Sequence, residues 1–262
     1  MRYMLSVTII FILFISSCKD PFKDEKKIFT TSTLKGPSAM AMIKMIDDPD
    51  TLTGGIRTEF DIKNEPNQVR IQILNEEIDF AVVPSTMGAL LYNKTSKYIL
   101  AAVPVWGTLY LFGSDTSIKT WDDLSGKTVS LMAKGMTPDI MFRYLASKNS
   151  LDPEKDINLD YSFPTHIELS NAIAAGLSDL GVISEPLVSI VAVKNPEVQP
   201  LINFNQEWTK IFGDNVPFAQ TALLVHKKIA SDYPEAVNDY LEKLENSIIW
   251  VNNNHGKAAK LI

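Results

Sequence analysis

The chain contains FTTSTLKGPSAM at residues 29–40 and TVSLMAKGMTPDIM at residues 128–141. Each stretch is a short apolar strand, then Lys-Gly, then a Pro where a helix would start. A second pair follows at nearly the same separation, with IDFAVVPS at 78–85 and SDLGVISEP at 178–186. Chance is the alternative explanation, but two matched pairs at one offset favour an internal repeat. The sequence therefore predicts an α/β protein whose two similar lobes clamp a small ligand.

The N-terminus has the composition of a secretion signal. Arg2 precedes an apolar run at residues 7–15, which is too short to span a bilayer but suits a signal peptide. The run ends in ISSC at residues 15–18, which resembles the lipobox of bacterial lipoproteins. That resemblance implies a signal peptide at 1–17, lipidation of Cys18 and a charged tether at 18–27. A plain signal peptide with an incidental Cys, or a buried N-terminal strand, remains the alternative.

Composition excludes several classes of function. The net charge of −6 and the lack of a basic block argue against a nucleic-acid partner. Cys18 is the only cysteine, so lipidation would leave no thiol for a disulfide, a metal or catalysis. The three histidines are far apart and lack metal-ligand spacing: His166, His226 and His255. No nucleophile elbow and no phosphate-binding loop occurs in the sequence. The sequence therefore predicts no catalytic residue, no metal and no cofactor.

Strand and helix patterns divide the folded part into lobe one (28–105 and 216–262) and lobe two (106–215). Crossovers near residues 104–108 and 204–217 would act as hinges. We expect one helix from Pro37 to about Ile46, and helix caps at Ser85 or Thr86 and at Thr137. The chain stops at Ile262 within what reads as another helix, which we interpret as a shortened version of a longer parent.

A family resemblance follows from the second half. The pattern W-x-D-L-x-G-K at residues 121–127, followed by a strand and Gly135 to Pro138, resembles the start of the second lobe in substrate-binding proteins of ABC importers. Ser184-Glu185-Pro186 after Gly176-x-x-Asp179 also resembles that lobe. The most similar group is the nitrate/sulfonate/taurine and thiamine-precursor binding family, over about residues 28 to 250. It implies a two-lobed type II periplasmic-binding fold with two hinge strands, acting as a monomer.

The same resemblance implies that a membrane permease with a separate ATPase receives the ligand. The chain would then be a lipoprotein at the outer face of a bacterial membrane. Two alternatives stay open on the same fold: a sensing or adhesive surface lipoprotein, and a pyrimidine-synthesising enzyme.

Ligand-contacting residues are predicted where strands end, because open α/β sheets bind ligands at the carboxyl ends of their strands. In lobe one these are Ser32, Gly36, Pro37, Ser38, Pro84, Ser85 and Thr86. In lobe two they are Gly135, Met136, Thr137, Ser184 and Glu185. Trp106 would add an aromatic wall. Each residue also has an ordinary structural explanation, as a strand-end Gly, a helix cap, a core Trp or a solvated acid.

The charge of the ligand stays open at this stage. Helix N-termini favour a sulfonate, carboxylate or nitrate. Glu185 and Trp106 instead favour a flat ring that carries an amino group.

Overall fold

Ten strands form two sheets of five in the computed structural model, which describes residues 28–258, 260 and 261. The predicted signal peptide and the tether with Cys18 lie outside the described residues. The strands are β1 Ile28–Leu34, β2 Arg57–Lys63, β3 Phe80–Pro84, β4 Tyr98–Ala102, β5 Leu109–Gly113, β6 Thr128–Ser130, β7 Asn158–Asp160, β8 Leu180–Ser184, β9 Gln199–Asn203 and β10 Thr221–His226.

The two sheets have the same topology. The first has the order β2-β1-β3-β10-β4 and the second β7-β6-β8-β5-β9. In each sheet four strands run in the same direction, and one strand, β10 or β5, runs antiparallel to both of its neighbours. The repeated stretches of sequence occupy equivalent strands, β1 with β6 and β3 with β8. The prediction of two similar α/β lobes is confirmed.

Seven helices belong to the first lobe: α1 Pro37–Ala41, α2 Ile43–Asp47, α3 Pro66–Leu74, α4 Ser85–Thr95, α9 Lys227–Asp232, α10 Pro234–Asn253 and α11 His255–Ala258. The expected single helix at 37–46 is wrong. Met42 leaves helical geometry with φ −102° and ψ 5°, and its amide donates to the Ala39 carbonyl in a tightened turn. Met42 is fully buried in the core of this lobe.

Four helices belong to the second lobe: α5 Thr137–Lys148, α6 His166–Ala174, α7 Leu187–Lys194 and α8 Phe204–Phe212. The helix α8 corrects one prediction, because residues 204–212 do not cross between the lobes. Asn203 caps this helix by accepting hydrogen bonds from the amides of Asn205 and Gln206. Its first residue, Phe204, is fully buried in the core of the second lobe.

Two segments connect the sheets and run side by side. Residues 103–108 lead from β4 to β5, and residues 213–220 lead from α8 to β10. Trp106 and Ala219 form an antiparallel bridge. The Gly107 amide donates to the Phe218 carbonyl over 3.0 Å, and the Gln220 amide donates to the Val105 carbonyl over 3.0 Å. The lobe boundaries at 105/106 and 215/216 stay predictions.

Each lobe has its own apolar core. In the first lobe Tyr240 of α10 stacks on Phe80 of β3, with ring centroids 4.0 Å apart, and its hydroxyl lies 2.9 Å from the Thr31 hydroxyl. Burying two such rings is a large apolar contribution to the stability of the lobe. Within the described part of the chain, no helix combines the length and the hydrophobicity needed to cross a bilayer.

Candidate functional site

A cavity lies between the lobes, where the carboxyl ends of β1, β3, β6 and β8 meet. It encloses about 640 Å³, part of which is open to solvent. The first lobe lines it with Leu34, Lys35, Pro37, Ser38, Asn64, Pro66 and Pro84. The second lobe contributes Met132, Ala133, Thr137, Pro138, Pro164, Thr165, His166 and Ser184, and the returning segment adds Gln220 and Thr221. This is the position at which open α/β sheets bind ligands.

Five of the predicted ligand residues are in this wall: Pro37, Ser38, Pro84, Thr137 and Ser184. The hydroxyl of Ser38 has no hydrogen-bond partner among the described residues, although the side chain is only 2% exposed. A ligand in the cavity would therefore meet a hydroxyl that the protein itself does not use.

The other predicted residues of the loops lie just behind the wall. Ser32 is fully buried in β1, and its hydroxyl donates to the Asp61 carbonyl. Gly36 has φ +108°, which only glycine adopts readily, and it faces His166 across the cleft. Gly135 donates its amide to the Asp139 carboxylate over 2.7 Å. Met136 packs against the core of the first lobe.

Thr137 forms a contact between the lobes. Its hydroxyl oxygen lies 3.3 Å from that of Ser85 and 3.2 Å from that of Thr86, and it accepts from the Thr86 amide over 3.4 Å. The predicted caps are therefore wrong: Pro84 and Met136 precede the helices, and neither gives a side-chain cap. The three hydroxyl groups meet across the cleft instead.

Trp106 and Glu185 lie away from the cavity wall. The side chain of Trp106 is 46% exposed on the connecting segment. The Glu185 carboxylate accepts hydrogen bonds from the amide and hydroxyl of Ser189, one turn along α7. These two residues were the reason to expect a flat, amine-bearing ligand, and their positions remove that reason.

His166 is a wall residue that sequence reasoning missed. Its Nε2 accepts from the Ser184 amide over 3.0 Å and lies 3.2 Å from the Ser184 hydroxyl. Burial lowers the pKa of His166 to about 4, so the ring is neutral at pH 7 and carries its proton on Nδ1. The signal was available, because His166 begins a helix just after Pro164, at the carboxyl end of a second-lobe strand.

Gln220 and Thr221 were also missed. The Gln220 side-chain oxygen accepts from the Thr108 amide over 2.8 Å and from the Thr108 hydroxyl over 2.9 Å. Thr221 is 6% exposed, and within the described chain its hydroxyl has no partner. Gln220 ends the segment that returns to the first sheet, and Thr221 begins strand β10. The rule for the carboxyl ends of parallel strands does not apply to either position.

The sequence model of one protein family, described as "ABC transporter, phosphonate, periplasmic substrate-binding protein", matches residues 50–259. The chain belongs to this family. It is a family of binding proteins and not of enzymes, so the enzyme alternative is set aside. The predicted resemblance to substrate-binding proteins of ABC importers is confirmed.

One curated relative and several solved structures are similar to this binding protein. YtlA of Bacillus subtilis is 32% identical over 92 residues, which are 34% of this chain and only about a quarter (26%) of that relative. An ABC transporter structure from Parabacteroides distasonis is 27% identical, with a TM-score of 0.73, over 90% of this chain and 78% of that one.

Two further structures establish the fold. The aliphatic sulphonate binding protein SsuA from Escherichia coli is 14% identical, with a TM-score of 0.69, over 90% of this chain and 77% of that one. The nitrate-binding protein NrtA from Synechocystis is 12% identical, with a TM-score of 0.70, over 90% of this chain and 66% of that one. The predicted type II periplasmic-binding fold is confirmed.

The electrostatics of the binding protein's cavity favour an anion. Among the described residues that line it, Lys35 is the only charged side chain. The N-termini of α5 and α6 also reach the wall, through Thr137 and His166. Helix N-termini carry free amide donors and partial positive charge.

A network centred on the buried Asp139 holds the second-lobe loop of the binding protein in place. The Asp139 carboxylate is 2.6 Å from the guanidinium of Arg143 and accepts from the Tyr161 hydroxyl over 2.7 Å. Arg143 also pairs with Glu154. Together with the bond from Gly135, these contacts fix the turn that leads to Thr137. No group of three or more metal-binding side chains occurs within the described ranges.

Proposed function

We propose that this protein captures a small oxyanion between its lobes and delivers it to an ABC importer. The observation that carries the proposal is the cavity, which presents hydrogen-bond donors and a single charged side chain, that of Lys35. The names of the family and of two similar structures refer to phosphonate, sulphonate and nitrate, all of them oxyanions. The permease and its separate ATPase are the proposed partners, and the protein acts as a monomer.

Ligand binding is coupled to closure in this proposal. The paired segments 103–108 and 213–220 serve as hinges, and the lobes rotate about them. Thr137 of the second lobe contacts Ser85 and Thr86 of the first across the cleft, and this contact is proposed to belong to the closed form. A ligand that touches both lobes binds the closed form better, and the permease reads that form.

Residues 1–18 supply the proposed location. A lipid on Cys18 would hold the protein at the outer face of a bacterial membrane, with residues 18–27 as the tether. In cells, a Cys18→Ser variant should move from the membrane fraction to the soluble fraction. If it stays with the membrane as the wild type does, another feature anchors the protein.

A thermal-shift screen on a soluble form that begins after Cys18 tests the ligand class. The panel holds nitrate, alkyl sulfonates, taurine, phosphonates, small carboxylates and, as contrasting ligands, aminopyrimidines and flavins. A ligand at about 100 times its dissociation constant should stabilise the fold by about 2.7 kcal/mol, which is roughly 5–10 °C at this size.

The matched control is the double variant Ser85→Ala with Thr137→Ala, which should show a smaller shift at the same ligand concentration. Stabilisation by aminopyrimidines or flavins, and by no oxyanion, would overturn the proposal.

A further inference from the structure

We propose that the cleft selects a singly charged, fully deprotonated oxyanion over a doubly charged one, with His166 and Gln220 as the residues that determine this specificity. The inference rests on the proposed function, because it concerns the ligand of the same cavity. It extends that function from a class of ligand to a rule of charge and protonation.

The first step concerns the tautomer of the neutral His166 ring. A backbone amide can only donate, so the bond from the Ser184 amide makes Nε2 an acceptor and leaves the ring proton on Nδ1. Nδ1 faces the Gly36 turn, where a Cβ built on Gly36 would lie 3.2 Å from it. His166 therefore offers the cleft a donor and no acceptor.

The second step is the fixed amide of Gln220. The Thr108 amide donates to its oxygen, which sets the orientation of the side chain and leaves the NH₂ group without a partner among the described residues. The side chain is 6% exposed and lines the cavity. Thr221 beside it adds the buried, unpartnered hydroxyl.

The third step concerns the charged groups of the cavity wall. Among its described residues there is no carboxylate, so a ligand that carries an acidic O–H finds no anionic acceptor for it. Lys35 is exposed and is the only cation in that part of the wall. The cost of desolvating an ion grows with the square of its charge, so a second negative charge needs a second cation.

Part of the remaining lining is apolar and suits a short alkyl group. Prolines line it from both lobes, including Pro37, Pro66 and Pro138, together with Leu34 and Met132. An alkyl sulfonate satisfies every condition, because it has three acceptors, one charge and no acidic proton.

The test compares methanesulfonate with methylphosphonate by calorimetric titration at about pH 6 and about pH 9. Their shapes are nearly the same, but the phosphonate loses its second proton near neutral pH, as phosphate monoesters do. Methanesulfonate should bind with the same affinity at both values. Methylphosphonate should bind at least about tenfold more weakly, and more weakly still at the higher pH.

The His166 ring does not change its charge in this range. Burial lowers the pKa of His166 to about 4, so the ring stays neutral at both values. Of the nearby acids, Glu168 is bonded to Thr165, and Glu185 is bonded to Ser189. Lys35 is the only charged side chain among the described residues of the wall.

Three variants separate specificity from folding. His166→Leu and His166→Asn both remove the acceptor for the Ser184 amide, but Asn can still present an N–H near the position of Nδ1. We expect Leu to lose about tenfold in methanesulfonate affinity and Asn to recover part of it. Gln220→Glu keeps the oxygen that Thr108 needs and replaces the donor by a carboxylate. Its methanesulfonate affinity should fall and should recover as the pH is lowered.

Tighter binding of methylphosphonate as the pH rises would overturn this inference and leave the proposed function intact. Equal affinity of the Leu and Asn variants would also overturn the role of His166. Binding of neither anion, nor of any other oxyanion, would overturn the proposed function and this inference with it.

Discussion

The turn before α1 and the turn before α5 occupy equivalent places in the two lobes, but they are held differently. In the second lobe Asp139 binds the Gly135 amide, and Arg143 and Tyr161 bind Asp139. In the first lobe Gly36 leads into a helix of only five residues, and the described residues leave the Ser38 hydroxyl unpaired. The turn of the second lobe is therefore fixed by contacts within its own lobe. The turn of the first lobe keeps groups that are available to a ligand.

The largest effect should come from breaking the fixed turn. Asp139→Ala would leave the Arg143 guanidinium and the Gly135 amide without their carboxylate. We expect a loss of about 3 kcal/mol in the free energy of unfolding and about tenfold in ligand affinity, measured by urea denaturation and titration. Asp139→Asn keeps an acceptor for Gly135 and should lose less. Wild-type values for the Ala variant would show that the network does not hold the turn.

The second effect is a pH dependence of stability. It comes from His166 of the second lobe, which faces Gly36 of the first lobe. Burial lowers the pKa of His166 from its ordinary value of 6.5 to about 4. Between these values the unfolded chain binds a proton and the folded chain does not, so stability falls as the pH drops through this window. By about pH 4 the loss should reach about 2–3 kcal/mol, and above about pH 7 this contribution is constant.

The measurement is urea denaturation at several pH values between about 4 and 8, with His166→Asn as the control. The difference in stability between the wild type and the variant should shrink as the pH falls. A constant difference would show that His166 is protonated equally in both states.

A third effect compares the two glycines directly. Both have positive φ, +108° at Gly36 and +76° at Gly135, so alanine strains both turns by about 1 kcal/mol or more. A Cβ at Gly36 would lie 3.2 Å from His166 Nδ1, whereas none of the described atoms lies within 4 Å of a Cβ at Gly135. Gly36→Ala should therefore weaken ligand binding more than Gly135→Ala. The same loss of affinity in both variants would show that the close approach of Gly36 to His166 does not affect ligand binding.

Much of the fold followed from local signals in the sequence. Strand, Lys-Gly and Pro recur at both turns, and such signals depend on residues that are neighbours in the chain. Three residues that these signals singled out, Pro37, Ser38 and Pro84, line the cavity. Local signals could not distinguish a helix cap from a side chain that contacts the other lobe. Thr137 stands before a Pro, as many N-caps do, but its hydroxyl contacts Ser85 of the first lobe.

The missed residues depend on contacts between distant segments. Gln220 is oriented by Thr108, which is 112 residues away, and the tautomer of His166 is set by Ser184. Such contacts leave no periodicity in the sequence. The surroundings of Trp106 and Glu185 depend on packing in the same way, because only the folded structure shows that Trp106 is exposed and that Glu185 accepts a hydrogen bond from Ser189 of α7.

The smallest effect tests the contact that joins the two turns. Thr137→Val keeps the shape of the side chain and removes the hydroxyl that contacts Ser85 and Thr86 across the cleft. We expect about a fivefold loss of ligand affinity, about 1 kcal/mol, and a larger fraction of open molecules by small-angle scattering. Ser38→Ala is the matched variant in the other lobe. Because the described protein gives the Ser38 hydroxyl no partner, its loss should weaken binding and leave the open fraction unchanged. If both variants opened the protein equally, the two turns would share the work of closure, and the division between a fixed turn and an available one would be wrong.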